Sequence, residues 1–298
     1  MNNYVKGVLV TSFASILFGL NPLFVNYLQG SDINLYWTLI IRFGGSFLIF
    51  LITVKKRKLN TKLNLEILDQ FKIFMCAVFF LLTSVFLVYS YSRIPSGLTT
   101  VLHFIYPIII TIFSVKAKRN SFNLALAISI IFSIFGVYLV TNPSSMVFDF
   151  RGISSAFLSA LTISIYLFIL NDKKIKKIDN NIFVYYVNFY AIILLLISSF
   201  FMKNHFLKIQ DINFGLTSIL GIVGYIFASA YGGSLFSYGS RIVGGPIAGT
   251  LGAFEPLTAV FVGLLFLGEH GSKLYFFGVL CILASTVITS IFGSKKRN

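Results

Sequence analysis

Two charged residues stand inside stretches of this sequence that hold almost no other charge. Glu255 lies about twelve residues into the apolar run 244–267, roughly 18 Å along a helix, and Arg42 lies about ten residues into the run 33–54. A carboxyl group taken out of water favours its neutral form, so it becomes able to take up and release a proton. Two roles fit Glu255: it binds a cationic group or carries a proton, or its carboxylate is satisfied by backbone groups or Arg42 beside the kink that Pro256 imposes. A guanidinium at such depth costs roughly 2.5 to 3.5 kcal/mol and needs a partner or water, so Arg42 reads as a structural intramembrane charge held in an ion pair or hydrogen-bond network, with direct ligand contact as its other role. His103 is a third ionisable group in an apolar run; it serves as a proton relay or ligand, or as a neutral ring bonded to a carbonyl. Asn21, Tyr106, Tyr166 and Tyr231 complete the candidates.

The elements that position these residues follow from composition. Of 298 residues 57% are hydrophobic and 11% charged, and the mean hydropathy is +0.88. Such a chain has too little polar surface to face water on all sides, so its solvent is lipid. Ten runs are long enough to cross hydrocarbon as helices: 5–27, 33–54, 71–91, 97–115, 121–140, 150–171, 182–202, 213–239, 244–267 and 272–292. Their continuous hydrophobicity suits helices rather than the alternating strands of a barrel. The first run is expected to be retained, because Asn21 and Pro22 interrupt it and no clear cleavage site follows. Small and hydroxyl residues recur at helical spacing, as in Ser12, Ser15, Gly19, Pro22 and Asn26, in Ser155, Ser159, Thr162 and Tyr166, and in Gly245, Gly249, Gly252, Pro256 and Gly263. Either close helix packing or a cavity wall accounts for such stripes.

The net charge of +15 would suit nucleic acid, but its distribution argues for topology. With the N-terminus inside, 18 of the 24 Lys and Arg fall on the cytoplasmic side, in clusters such as Lys55 to Lys58, Lys116 to Arg119, Lys173 to Lys177 and Lys295 to Arg297. Both termini are therefore expected in the cytoplasm of a multi-pass cell-membrane (plasma or inner-membrane) protein, and no nucleic acid is expected as a partner. Cys76 and Cys281 lie within apolar runs and act as small apolar groups. His205 and His270 sit near run ends, so no metal site is expected. Neither a glycine-rich phosphate loop nor a serine nucleophile turn is present, so no cofactor and no enzyme activity are expected.

The two halves of the chain repeat. Lys6-Gly7 opens the first run and Arg151-Gly152 the sixth; Trp37 to Phe43 lies against Phe183 to Phe189, placing Asn188 opposite Arg42; and Arg93 to Pro107 (RIPSGLTTVLHFIYP) lies against Arg241 to Pro256 (RIVGGPIAGTLGAFEP). Five runs per half, an odd number, mean that the second half enters the membrane in the opposite sense. The expected fold is all-α, with ten transmembrane helices as two inverted five-helix repeats over 1–142 and 150–293.

These glycine-led openings, Arg42, the Tyr106-Pro107 and Glu255-Pro256 steps and the Leu267-Gly268-Glu269 close of the ninth run together resemble the EamA-type carriers of the drug/metabolite transporter superfamily, over essentially the whole length. The first copy departs from the pattern at Val115 to Arg119 (VKAKR), which lacks the Gly-Glu close. The resemblance implies ten helices around a central cavity and secondary transport of a small metabolite (an amino acid, an amine or a related compound) by alternating access, as export or proton-linked exchange, with the lipid bilayer as partner and protons as the candidate coupling ion. The alternatives are a multidrug efflux carrier and a lipid-handling or flippase protein without small-solute flux. No feature of the sequence sets an oligomeric state.

Overall fold

The computed structural model describes residues 3–60, 66–117, 124–140, 149–201, 215–244, 248–249 and 251–292. Lys62, Lys118, Arg119, Lys203, His205, Lys208, Gly245 and the basic residues 295–297 lie outside the described residues. Twelve α-helices are named: α1 (Asn3–Gly19), α2 (Asn21–Gln29), α3 (Leu35–Lys56), α4 (Ile67–Tyr91), α5 (Ser96–His103), α6 (Tyr106–Lys116), α7 (Leu124–Val140), α8 (Phe150–Leu170), α9 (Asn180–Ser199), α10 (Leu216–Val243), α11 (Phe254–Phe266) and α12 (Lys273–Phe292). A short 3-10 turn, Ile175–Lys177, links α8 to α9. No strand occurs among the described residues. Seven helical segments are long and apolar enough to cross a membrane, namely Asn3–Gln29, α3, α4, Ser96–Lys116, α8, α9 and α10, and shorter apolar helices accompany them.

Helix occupies each of the ten expected runs, but three are broken where an Xaa-Pro step falls within them. A proline has no N–H to donate and its ring crowds the carbonyl one turn back. At Pro22 the chain breaks at Leu20, whose N–H is shared between Ile16 O and Leu17 O, both at 3.2 Å; at Pro107 it breaks at Phe104–Ile105, where Ile105 N–H bonds to Leu102 O at 3.3 Å; before Pro256, Glu255 N–H bonds to Gly252 O at 2.9 Å. Each break thus brings in an i→i−3 bond, which keeps backbone groups satisfied within the membrane.

The helices pack as two groups. In one, α1 and α2 run along α10, and α11 lies against α1 and α2; in the other, α4 runs along α8, and α5 and α6 pack on α8. The paired helices α3 and α9 bridge the groups, α5 meets α11, and α7 and α12 form a pair attached through α6. Inside the second group, hydroxyls replace apolar contacts: Ser90 donates to Gly152 O at 2.9 Å, Ser155 to Phe86 O at 2.9 Å, and Thr83 and Thr162 share a bond of 2.8 Å. The first group is close-packed through small residues; a Cβ at Gly239 would collide with the Thr11 side chain and stand 3.2 Å from Gly7 O.

At the end where α4 begins, Asp69 accepts from Lys72 at 3.0 Å and from Lys174 at 3.2 Å, and these lysines also reach Asp172 (3.2 Å) and Glu66 (2.8 Å). Burial pushes the Asp172 carboxyl up, yet the Lys174 N–H and the Lys72 ammonium outweigh it and hold the group below its ordinary value.

Two outcomes follow from this packing. Gly239→Val should lower the melting temperature of the detergent-solubilised protein by the equivalent of about 1–3 kcal/mol, because the backbones of α1 and α10 must part. Asp69→Asn should lower it as well, since the Asp69 side chain is 3% exposed and bridges two lysines, whereas Glu66→Gln, at a side chain 71% exposed, should leave it within scatter. Thermal unfolding of the three variants beside the parent chain checks both.

Candidate functional site

The three broken helices meet at one place. The residue preceding each proline, Asn21, Tyr106 or Glu255, lines a cavity of about 640 Å³, counting the part open to its surroundings. Its walls come from both groups of helices: Phe18, Asn21, Tyr225, Gly233, Phe236 and Glu255 from one, and Phe80, Thr83, Leu87, Tyr91, His103, Tyr106, Ile163 and Tyr166 from the other. Arg42 enters from the bridging helix α3. Six of the candidates named from the sequence therefore share this cavity with Arg42 counted among them, and Glu255 is the sixth. Tyr231 does not join them: it is 41% exposed on the outer side of α10, packed ring to ring with Phe227 at 4.7 Å.

Arg42 is 6% exposed, and no carboxylate lies within 4.0 Å of it among the described residues. Its Nη1 donates to the Tyr225 hydroxyl at 3.4 Å, and its Cζ stands 5.3 Å from the Phe80 ring centre, 5.5 Å from Phe43 and 5.7 Å from Tyr225. The cation is thus held by aromatic faces rather than by an ion pair, which leaves donors of the guanidinium available to an anion in the cavity. Glu255 is 7% exposed, at the first turn of α11, and the described residues place no cation in contact with its carboxylate. The ion pair weighed from the sequence between these two side chains is not formed.

His103 ends α5 and meets Ser159 of α8, with Nδ1 and Oγ 2.8 Å apart. The Ser159 hydroxyl also lies 2.6 Å from Ala156 O; when its one proton goes to that carbonyl, the imidazole meets it with Nδ1–H and a neutral ring keeps Nε2 as an acceptor. Histidine thus bonds a hydroxyl, not the carbonyl weighed from the sequence. Tyr106 stands beside it, ring centres 5.5 Å apart, with its hydroxyl buried and without a hydrogen-bond partner among the described residues. Tyr166 stacks on Phe80 at 5.0 Å, and Asn21 Oδ1 accepts from Ser229 at 3.5 Å.

The wall that sequence reasoning missed is α4. Phe80, Thr83, Leu87 and Tyr91 recur every three or four residues and so share one face, but only Thr83 and Tyr91 are polar and no charge marks them. Tyr225, which anchors Arg42, was equally unmarked. The described residues contain no cluster of three or more His, Cys, Asp or Glu that could hold a metal.

Comparison with known proteins extends this picture. The uncharacterized inner membrane transporter YicL of Salmonella typhimurium is 26% identical over 319 aligned residues, covering 100% of this chain and 99% of that protein. A solved crystal structure superposes with a TM-score of 0.66 at 10% sequence identity, over 95% of each chain, a likeness of fold alone. The EamA-like transporter family matches twice, over residues 5–142 and again over 150–291. With both matches together spanning nearly the whole sequence, the chain belongs to the EamA-like transporter family, membrane transporters of small solutes.

Proposed function

We propose that this protein is a secondary carrier for a small metabolite bearing a cationic group, an amino acid or amine, moved by alternating access through the cavity between the two groups of helices. One observation carries the reading: Arg42 and Glu255 line the same buried cavity without pairing with each other. Unpaired charges of opposite sign are costly in so buried a place unless a ligand completes them. A carboxylate of the cargo meets Arg42 and an ammonium meets Glu255, while Phe18, Phe80, Leu87, Ile163 and Phe236 cover its apolar part. When no cation is bound, a proton on Glu255 serves the same end, which links cargo to a proton gradient and favours export or proton-linked exchange.

Two inverted repeats, 1–142 and 150–293, supply the two states. In support, exchanging the halves carries the pair α4 and α8 onto α10 and α1 and the pair α6 and α8 onto α11 and α1, and leaves the pairs α3 and α9, and α7 and α12, as themselves. An arrangement whose packing is unchanged by the exchange can rock between mirror-related openings. The relative's inner-membrane description and the basic clusters support a multi-pass inner-membrane protein with both termini cytoplasmic.

Proteoliposomes given pooled labelled amino acids and amines should show saturable flux that rises with an imposed pH gradient. Glu255→Gln, which keeps shape and loses both charge and titration, should abolish the dependence on the gradient and reduce flux by about tenfold or more. Flux of every pool by Glu255→Gln equal to wild type at each pH would sink the reading; flux of drug-like cations or of labelled lipid in place of these pools would assign the cargo instead to efflux or lipid handling. For orientation, cytoplasm-active reporter fusions at either terminus should both be active, and inactivity of both would invert the topology.

A further inference from the structure

Just beyond the far end of α11, the helix whose first turn carries Glu255, a single carboxylate ties α11 to α5. After α11 the chain turns through Gly268, whose φ of 65° suits a residue without a side chain, and the Glu269 N–H bonds back to Gly263 O at 3.0 Å. This turn aims Glu269 at the first two residues of α5. Its Oε1 accepts from the Ser96 N–H at 2.6 Å and from the Ser96 hydroxyl at 2.6 Å, and its Oε2 accepts from the Gly97 N–H at 3.1 Å. No cation lies within 4.0 Å of Glu269 among the described residues, so its charge is spent on the amino end of α5, whose orphan N–H groups and dipole it complements. The neighbours leave room for it: a Cβ at Gly97 would stand 3.2 Å from Oε2, and one at Gly263 would collide with the carboxylate.

The helices joined in this way bear two of the ionisable groups of the cavity, His103 at the end of α5 and Glu255 at the start of α11. They belong to different groups of helices. The repeat is broken here, because VKAKR (115–119) closes the first copy, after α6, where Leu267-Gly268-Glu269 closes the second, after α11.

We propose that Glu269 is a one-sided latch: it holds shut the seam between α5 and α11 on the face where α5 begins, and it must release Ser96 and Gly97 before that face opens to the cavity. The proposal rests on the alternating-access reading. It also makes Glu269 a positioning residue for His103 and Glu255, since breaking the three bonds frees both helices to shift.

Gly233→Cys provides the reporter, because Gly233 lines the cavity and a Cβ there meets only Phe80 Cζ, at 3.7 Å. With Cys76 and Cys281 replaced by alanine, the rate of labelling by a membrane-impermeant maleimide is measured in right-side-out and inside-out vesicles. Adding Glu269→Gln should raise the rate from the face where α5 begins roughly tenfold, and lower it from the other face, because the lost bonds to a charged group weight one state. Ser96→Ala, which removes one of the three bonds and leaves the backbone intact, should move both rates the same way by a smaller factor and carries the test should Glu269→Gln fail to fold. Rates in Glu269→Gln and Ser96→Ala equal to the parent's on both faces would make Glu269 a static cap and overturn the latch. The reporter chain without these changes separates the two ideas. If its labelling shifts between faces with pooled amino acids and amines while Glu269→Gln changes nothing, the latch falls and the carrier stands; if it is labelled from one face alone under every condition, alternating access falls and takes the latch with it.

Discussion

Everything in this structure answers to one constraint: a backbone N–H or C=O facing hydrocarbon has no water to bond, so each must find its partner within the protein. Continuous helix meets that demand alone, which is why nearly all of the described chain is helical. A break is tolerable only where protein, not lipid, surrounds it. The three Xaa-Pro steps at Pro22, Pro107 and Pro256 therefore point to the interior, and the tightened i→i−3 bonds at Leu20, Ile105 and Glu255 show how the freed groups are kept satisfied. Gaps between helices open where helices break, so the cavity and the residues beside the prolines come together for the same reason.

The same constraint shapes the electrostatics. Arg42 is stabilised by the faces of Phe43, Phe80 and Tyr225, an arrangement that supports a cation without consuming its hydrogen-bond donors. Glu269 has the opposite treatment, with three donors from α5 on its two oxygens. Among the described residues Glu255 has neither, and this contrast separates it from the other charged groups of the bundle. At the far end, the Asp69, Lys72, Asp172 and Lys174 cluster and the bond from Arg241 Nη1 to Ile178 O at 2.7 Å hold the loop after α8 against its neighbours. The regions at the two ends of α4 are thus held by different chemistry, ion pairs where it begins and carboxylate on the start of α5 just after it ends.

Much of this was legible in advance. Glu255, Arg42, His103, Tyr106, Tyr166 and Asn21 were recognisable because polar groups in apolar runs are rare and the interior is where they can be satisfied. Tyr231 failed the same test because tyrosine is amphipathic and sits as readily at a lipid-facing surface as in a cavity; the polar and apolar residues of α10 are not segregated to opposite faces, so its sequence does not say which side faces in. The stripe of α4 from Phe80 to Tyr91 stayed unseen for the related reason that none of its members is charged and half of them, Phe80 and Leu87, are as apolar as the lipid-facing residues around them. In a soluble protein the periodic contrast between polar and apolar residues reveals the buried face; in lipid both faces are apolar and the contrast is lost.

By itself, then, the sequence determined what depends on position along one chain: the lengths of the apolar runs, the prolines that interrupt them, the few charges within them and the bias of Lys and Arg between loops. These are local quantities, set by the thickness of hydrocarbon and the geometry of a single helix. Only the tertiary structure decided which faces meet. That Arg42 rests on aromatic rings instead of on Glu255, that His103 bonds Ser159 across to α8, and that Glu269 caps α5 from 172 residues away all depend on packing between helices distant in sequence, where close fit and not hydrophobicity selects the partner.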